Sequence, residues 1–123
     1  MTKILVVDDD LRIAQSLGIR LKSVGLEVVM ANDGFEAVQK AIGEQPDLIV
    51  LDISLPAGDG FTIVERMRTN SKTMMIPVIF ITASRRASFR ERAESLGAAG
   101  FFEKPYVSAD LMECIHNTLE AAA

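Results

Sequence analysis

The sequence predicts an α/β domain built on an open, doubly wound parallel sheet, and three observations carry that prediction. Short apolar runs alternate five times with longer segments of helical period, as strand and helix units of a parallel sheet do. Three of the runs, ILVV, LIVL and VIFI, have no polar alternation, so helices must cover both of their faces. The chain has 123 residues, enough for five such units and about half of what a closed eight-stranded barrel needs. Residues 1–123 are therefore expected to form one domain, a three-layer (βα)5 sandwich with strand order 2-1-3-4-5.

The first strand is placed at 4–7, followed by a helix whose stripe is Ala14, Leu17, Leu21 and Val24 and which Gly25 ends. The second strand, 28–31, follows Glu27 and is weaker, which suits a sheet edge. Asp33 with Glu36 has the spacing of a capping box before Ala37, Val38, Ala41 and Ile42, and Pro46 closes that helix. The third strand is 48–51. Asp59 precedes a third helical stripe of Phe61, Val64 and Met67, and the polar TNSKT run after it reads as an exposed loop. The fourth strand is 78–81. Ser84 or Ser88 is the candidate cap of the fourth helix, whose core face includes Phe89, Ala93 and Leu96 before Gly97 stops it. The short run 100–102 is the other edge strand, and Leu111, Ile115 and Leu119 give the last helix its stripe. Five units in this order make the flavodoxin-like arrangement.

Composition narrows the function classes. Thirteen Lys and Arg against seventeen Asp and Glu leave a net charge of −4, so no overall positive field is present to hold a nucleic-acid backbone. No apolar run approaches the roughly 20 residues that cross a bilayer, and the start MTKILVV lacks the pattern of a signal peptide. A lone cysteine, Cys114, has no internal disulfide partner. A cytoplasmic protein without direct nucleic-acid or membrane contacts is expected.

In doubly wound sheets ligands sit at the carboxyl ends of the strands, near the switch in strand order. Asp8, Asp9 and Asp10 follow the first apolar run, Asp52 the third, Thr82 the fourth, and Glu103, Lys104 and Pro105 the fifth. With the first and third strands adjacent, Asp8, Asp9 and Asp52 converge, and three such carboxylates repel unless a cation is near. Hard oxygen ligands of this kind suit magnesium, which is commonly completed by a phosphate. Lys104 adds a positive charge on the other flank and Thr82 a hydroxyl able to donate to an oxyanion. Asp52, ending the most buried strand, is the candidate nucleophile for a phosphoryl group, and the backbone carbonyl of Ser54 is a further candidate metal ligand. Asp10 reads as a helix cap, and His116 as a solvated helical side chain.

The ordered segments ILVVDDD, PDLIVLDISLPAGDG, VIFITA and GAAGFFEKPY, with the spacing between them, resemble the receiver domain of two-component response regulators, similar to the single-domain chemotaxis regulator type. That resemblance spans nearly the whole chain. It implies that Asp52 is the phosphoacceptor, that Asp8, Asp9, Asp52 and the Ser54 carbonyl hold Mg2+ or Mn2+, and that Lys104 pairs with the phosphate. It further implies that Thr82 and Phe101 form the switch, and that Asp59 and Gly60 are the acidic–glycine pair opening the third helix. The chain would take a phosphoryl group from a histidine kinase or a histidine phosphotransfer protein and then present an altered face built from the fourth helix, fifth strand and fifth helix. Downstream, the resemblance allows a protein target, an output domain in a longer chain, or a phosphorylation-dependent homodimer. Such a domain is not an enzyme beyond its own phosphorylation and slow dephosphorylation. Phe101 stands where many members have Tyr, so only packing is left to that side of the switch. A cis bond is expected at Lys104–Pro105.

Other functions fit less well. A magnesium-dependent phosphatase of the haloacid dehalogenase type also uses a strand-end Asp, but its second acid two residues on is Ser54 here. A flavin binder of the same strand order needs a phosphate cradle after the first strand, where this chain has three aspartates. A phosphorylation-independent adaptor has no need of the filled site. Arg85, Arg86, Arg90 and Arg92 make the fourth helix basic; a solvated face is the simpler reading, and recognition of an acidic partner the sharper one.

Overall fold

The computed structural model describes residues 1–55 and 59–122. The elements run β1 (Lys3–Val7), α1 (Leu11–Ser23), β2 (Glu27–Ala31), α2 (Gly34–Glu44), β3 (Leu48–Asp52), α3 (Gly60–Arg68), β4 (Val78–Thr82), α4 (Ala87–Ser95), β5 (Gly100–Glu103) and α5 (Ser108–Ala122). All strand pairs are parallel, and the order is β2-β1-β3-β4-β5. The expected topology is therefore observed, each strand extending the apolar run read from the sequence by one residue.

Strand alternation divides the core into two. Ile4, Val6, Leu48, Val50, Ile79 and Ile81 face one side and pack with Ala14, Leu17 and Leu21 of α1 and Leu111 and Ile115 of α5. Leu5, Val7, Ile49, Leu51, Val78 and Phe80 face the other and pack with Ala37, Ala41, Phe61, Val64, Met67 and Ala93 of α2, α3 and α4. Each fully buried aliphatic of these strands contributes about 1.5–3 kcal/mol, which explains why the fully buried positions of the central strands carry no polar residue before their carboxyl ends.

Helix starts are set by aspartates at three of the elements. Asp10 accepts from the amides of Arg12 and Ile13, Asp33 from Glu36 and Asp59 from Thr62. The side chain of Glu36 pairs with Lys40 at 3.1 Å, so the expected box relies on Asp33. Helix α4 departs from expectation: its cap is Arg86, with no side-chain hydrogen bond, while Ser84 lies two residues before it and Ser88 is already inside the first turn. Val24 is the other outlier, since it caps α1 beyond the last turn and is 61% exposed. In the TNSKT run Thr73 is 1% exposed, and its hydroxyl donates to the Met67 carbonyl at 2.8 Å. Arg68 fixes the same segment by donating to the carbonyls of Met74 and Ile76 at 3.0 Å each. A polar run thus contains a buried turn because its hydroxyl finds a helix-end carbonyl. Lys104–Pro105 is cis.

Candidate functional site

The parallel register brings the ends of β1, β3, β4 and β5 to one edge of the sheet. Asp8 follows β1 and is fully buried, Asp52 ends β3 at 4% exposure, and Thr82 ends β4 fully buried. Ligand oxygens of Asp8, Asp9 and Asp52 all lie within 4.8 Å of one another, with Asp9 exposed at the rim. An open cleft lies over Asp9 and Asp52, lined also by Asp10, Ile13, Ser54, Ala83 and Lys104.

Lys104 lies closer to the acids than a position on the opposite flank would require. Its ammonium donates to Asp52 Oδ2 at 3.0 Å and stands 3.0 Å from Asp8 Oδ2. Asp8 Oδ1 accepts from the Asp10 amide at 2.9 Å and Asp52 Oδ1 from the Ser54 amide at 3.1 Å. Asp8 Oδ2 has the charge contact with Lys104 but no hydrogen bond among the described residues. Burial pushes the Asp52 carboxyl above the usual carboxylate range; Lys104 opposes that shift and the Asp8 charge adds to it. Burial pulls Lys104 down, but the two carboxylates outweigh it and its pKa is raised. Burial likewise raises Tyr106, reinforced by Asp8.

Four carboxylates, those of Asp8, Asp9, Asp10 and Asp52, against one ammonium leave the cleft with excess negative charge, and among the described residues Asp8 Oδ2 is buried without a hydrogen bond. A hard divalent cation meets both conditions, so the donor set fits magnesium or manganese.

Glycine at position 60 allows the start of α3 to touch this edge. Its amide donates to the Ile53 carbonyl at 2.7 Å, and a Cβ there would lie 2.9 Å from the Asp52 carbonyl oxygen. The Asp59–Gly60 pair therefore serves both the helix cap and the close approach of α3 to Asp52. The preceding PAG of the sequence motif lies outside the described residues.

Thr82 Oγ1 accepts from the Ser84 amide at 3.0 Å, and its carbonyl accepts from the Lys104 amide at 2.7 Å. Phe101 is half-buried on the α4 side of the sheet, beside Phe80 in register, whereas Phe102 packs on the α1–α5 side. A contact not anticipated from the sequence covers Phe101: the Arg90 guanidinium lies 4.7 Å from its ring centroid. Arg92 sits equally close over Phe61 and pairs with Glu65 at 2.6 Å. The only sequence signal for these stacks is arginine enrichment in a helix poor in aliphatics. His116 is exposed, as expected.

Comparison with known proteins fits this geometry. Residues 4–116 match the family model described as the response regulator receiver domain. The chain is 38% identical over 106 residues to the DNA-binding dual master transcriptional regulator RpaA of Synechocystis, covering 86% of this chain and 44% of that protein. It is 39% identical over 104 residues to the alkaline phosphatase synthesis transcriptional regulatory protein PhoP of Bacillus subtilis, covering 85% and 42%. The structure of chemotaxis response regulator CheY4 of Vibrio cholerae superposes with a TM-score of 0.87 at 30% identity, covering 96% of this chain and 98% of that one. An α/β domain of strand order 2-1-3-4-5 with acids and a lysine gathered at its strand ends is the architecture of a phosphorylation-dependent signalling module. The chain belongs to the response regulator receiver domain family of two-component signalling. It spans about half the length of the curated relatives it matches. Receiver domains bind magnesium at an acidic pocket, and Asp8, Asp9 and Asp52 form such a group here. Among the described residues no helix is long and apolar enough to cross a membrane.

Proposed function

We propose that Asp52 accepts a phosphoryl group from the phosphohistidine of a histidine kinase or histidine phosphotransfer protein. The observation that carries this reading is the Asp52 carboxylate itself: buried, at the floor of an open cleft, and shared by Lys104 with Asp8. An Asp52 oxygen attacks phosphorus, the P–N bond to the donor imidazole breaks, and the departing nitrogen keeps the electron pair and takes a proton. The product is an acyl phosphate on this chain.

Lys104 is the mobile partner in that step. With one donor on Asp52 and one charge contact on Asp8, its ammonium turns to an equatorial phosphoryl oxygen as negative charge moves outward. Asp8, Asp9, Asp52 and the Ser54 carbonyl would hold Mg2+ or Mn2+, which when bound neutralises charge on the transferring group. Thr82 then donates to a phosphoryl oxygen in place of its present contact with the Ser84 amide, and Phe101 follows into the space released. The face of α4, β5 and α5 changes shape and binds a downstream protein target, an output domain of a longer chain, or a second copy. Water later attacks phosphorus and restores the carboxylate. Ser54 stands where the phosphatase alternative requires a second acid, which favours a module modified once over one that turns over phosphate esters.

Intact mass after incubation with acetyl phosphate tests this reading. One labile phosphoryl adduct is expected in magnesium, with none after chelation and none in Asp52→Asn. An adduct that persists in Asp52→Asn would refute it, and sustained turnover of small phosphate esters would restore the phosphatase.

A further inference from the structure

We propose that Arg90 is a positioning residue for the switch: its guanidinium, stacked on Phe101, holds that ring in the unphosphorylated arrangement and sets how readily the domain responds. This rests on the reading of Asp52 as phosphoacceptor and of Phe101 as the moving aromatic.

The attachment of α4 carries the argument. Ala93 is the helix's one buried residue, and the capping position holds Arg86 without a side-chain bond. Phe89 and Leu96 are only half-buried. Two arginine stacks join α4 to its neighbours, and they differ in kind. Arg92 reaches Phe61, which is 2% exposed and packed against Phe80 at 5.1 Å, and its other bond goes to Glu65 of the same helix. Neither partner belongs to the switch. Arg90 reaches Phe101, a half-buried ring of the edge strand β5, which has no hydroxyl to hold it from outside.

A ring leaving the guanidinium must forfeit that cation–π contact, so the contact favours whichever arrangement retains it. Here the contact coexists with Lys104 bonded to the Asp52 carboxylate and Thr82 Oγ1 bonded to the Ser84 amide, the two contacts that a phosphoryl group on Asp52 would displace. Removing the cation therefore shifts the population toward the phosphorylated form, by about two- to fivefold for a contact of this kind at a partly exposed site. Lysine keeps a cation over the ring and keeps most of the bias.

Binding of beryllium fluoride, a tetrahedral mimic of the phosphoryl group, should be measured in magnesium by titration, with the ring signals of Phe101 followed by NMR. Arg90→Met is expected to bind the mimic about two- to fivefold more tightly than wild type, and its mimic-free Phe101 signals should move toward the bound positions. Arg90→Lys should stay near wild type in both readouts. Arg92→Met should weaken the fold without tightening the mimic. An Arg90→Met protein with wild-type affinity and wild-type ring signals overturns the latch while leaving the phosphoacceptor reading intact. A wild-type protein that binds no mimic overturns both. Arg90→Gln repeats the test with a polar, uncharged side chain, and agreement with Arg90→Lys rather than Arg90→Met would also sink the role of charge.

Discussion

The two sides of this sheet edge are held by different means. At β1, β3 and β4 the strands are buried along almost their whole length, and the adjoining helices α1 and α3 start on aspartate caps. At β5 every residue is only partly buried, and α4 is attached by one alanine, half-buried apolar groups and arginine stacks. The charged groups of the cleft thus stand mainly on the well-packed side, while the face that would report on them is built from the weakly held side. A catalytic constellation needs fixed geometry, and a switch needs an element whose alternative arrangement is only slightly less stable.

The strongest way to break this division is to remove the one group that ties its two sides together. Lys104 reaches from the end of β5 to Asp52 and Asp8. Lys104→Met leaves two buried carboxylates without their cation, and the metal-free protein should lose about 1–4 kcal/mol, the cost of breaking a buried pair tempered by the open cleft. The loss has a definite pH sign. With the lysine gone, burial and the Asp8 charge raise Asp52 against the Ser54 amide alone, so its folded pKa lies still further above the unfolded value. The contribution of Asp52 to stability is then greatest at low pH and is lost as pH rises through the window between those two values. Urea unfolding across that window checks it, and magnesium should recover part of the loss. A pH-independent stability equal to wild type would mean that the acids are not coupled through Lys104.

A smaller perturbation acts on the rigid side alone. Gly60→Ala puts a Cβ against the Asp52 carbonyl and the Ile53 Cα, each 2.9 Å away and each backbone, so neither has a flexible end to move. A cost of about 1–3 kcal/mol is expected, reduced by the better helix propensity of alanine. Phosphorylation by acetyl phosphate should slow as well, since the displaced backbone carries the nucleophile. Retained stability with unchanged labelling would show that this edge yields more than its packing suggests.

How much of this was legible in the sequence follows the same division. Runs buried on both faces leave no room for polar residues, so β1, β3 and β4 and the polar groups at their carboxyl ends, Asp8, Asp52 and Thr82, stand out in the bare string. The sequence points to Ser84 or Ser88 as the cap of α4 because hydroxyl residues usually mark a helix start, whereas the backbone turns at Arg86, between them. Thr73 lies in a run that reads as solvated, and its burial depends on the Met67 carbonyl meeting it from the end of α3. Lys104 stands out at the end of the fifth apolar run, but its position between two carboxylates depends on side-chain reach, which strand spacing does not determine. Arg90 over Phe101 joins two elements whose separation along the chain gives no local pattern.

The missing cap offers the finest test of why α4 is the weaker element. Arg86→Asp places an acceptor at the capping position and replaces a cation that opposes the helix dipole with an anion that favours it. The change also removes the loose stack of Arg86 on Phe89, 5.7 Å from the ring centroid, so the net gain should be about 0.5–1 kcal/mol. Asp59→Ala is the reciprocal experiment on α3, where an existing cap is lost at a cost of about 1 kcal/mol. Native-state hydrogen exchange reads both helices in one sample. Wild-type α4 amides should exchange by local opening faster than those of α3, and the two substitutions should narrow that gap from opposite ends. If α4 and α3 exchange alike in the wild type, the arginine stacks already compensate for the absent cap, and the ease of switching must come from β5 instead.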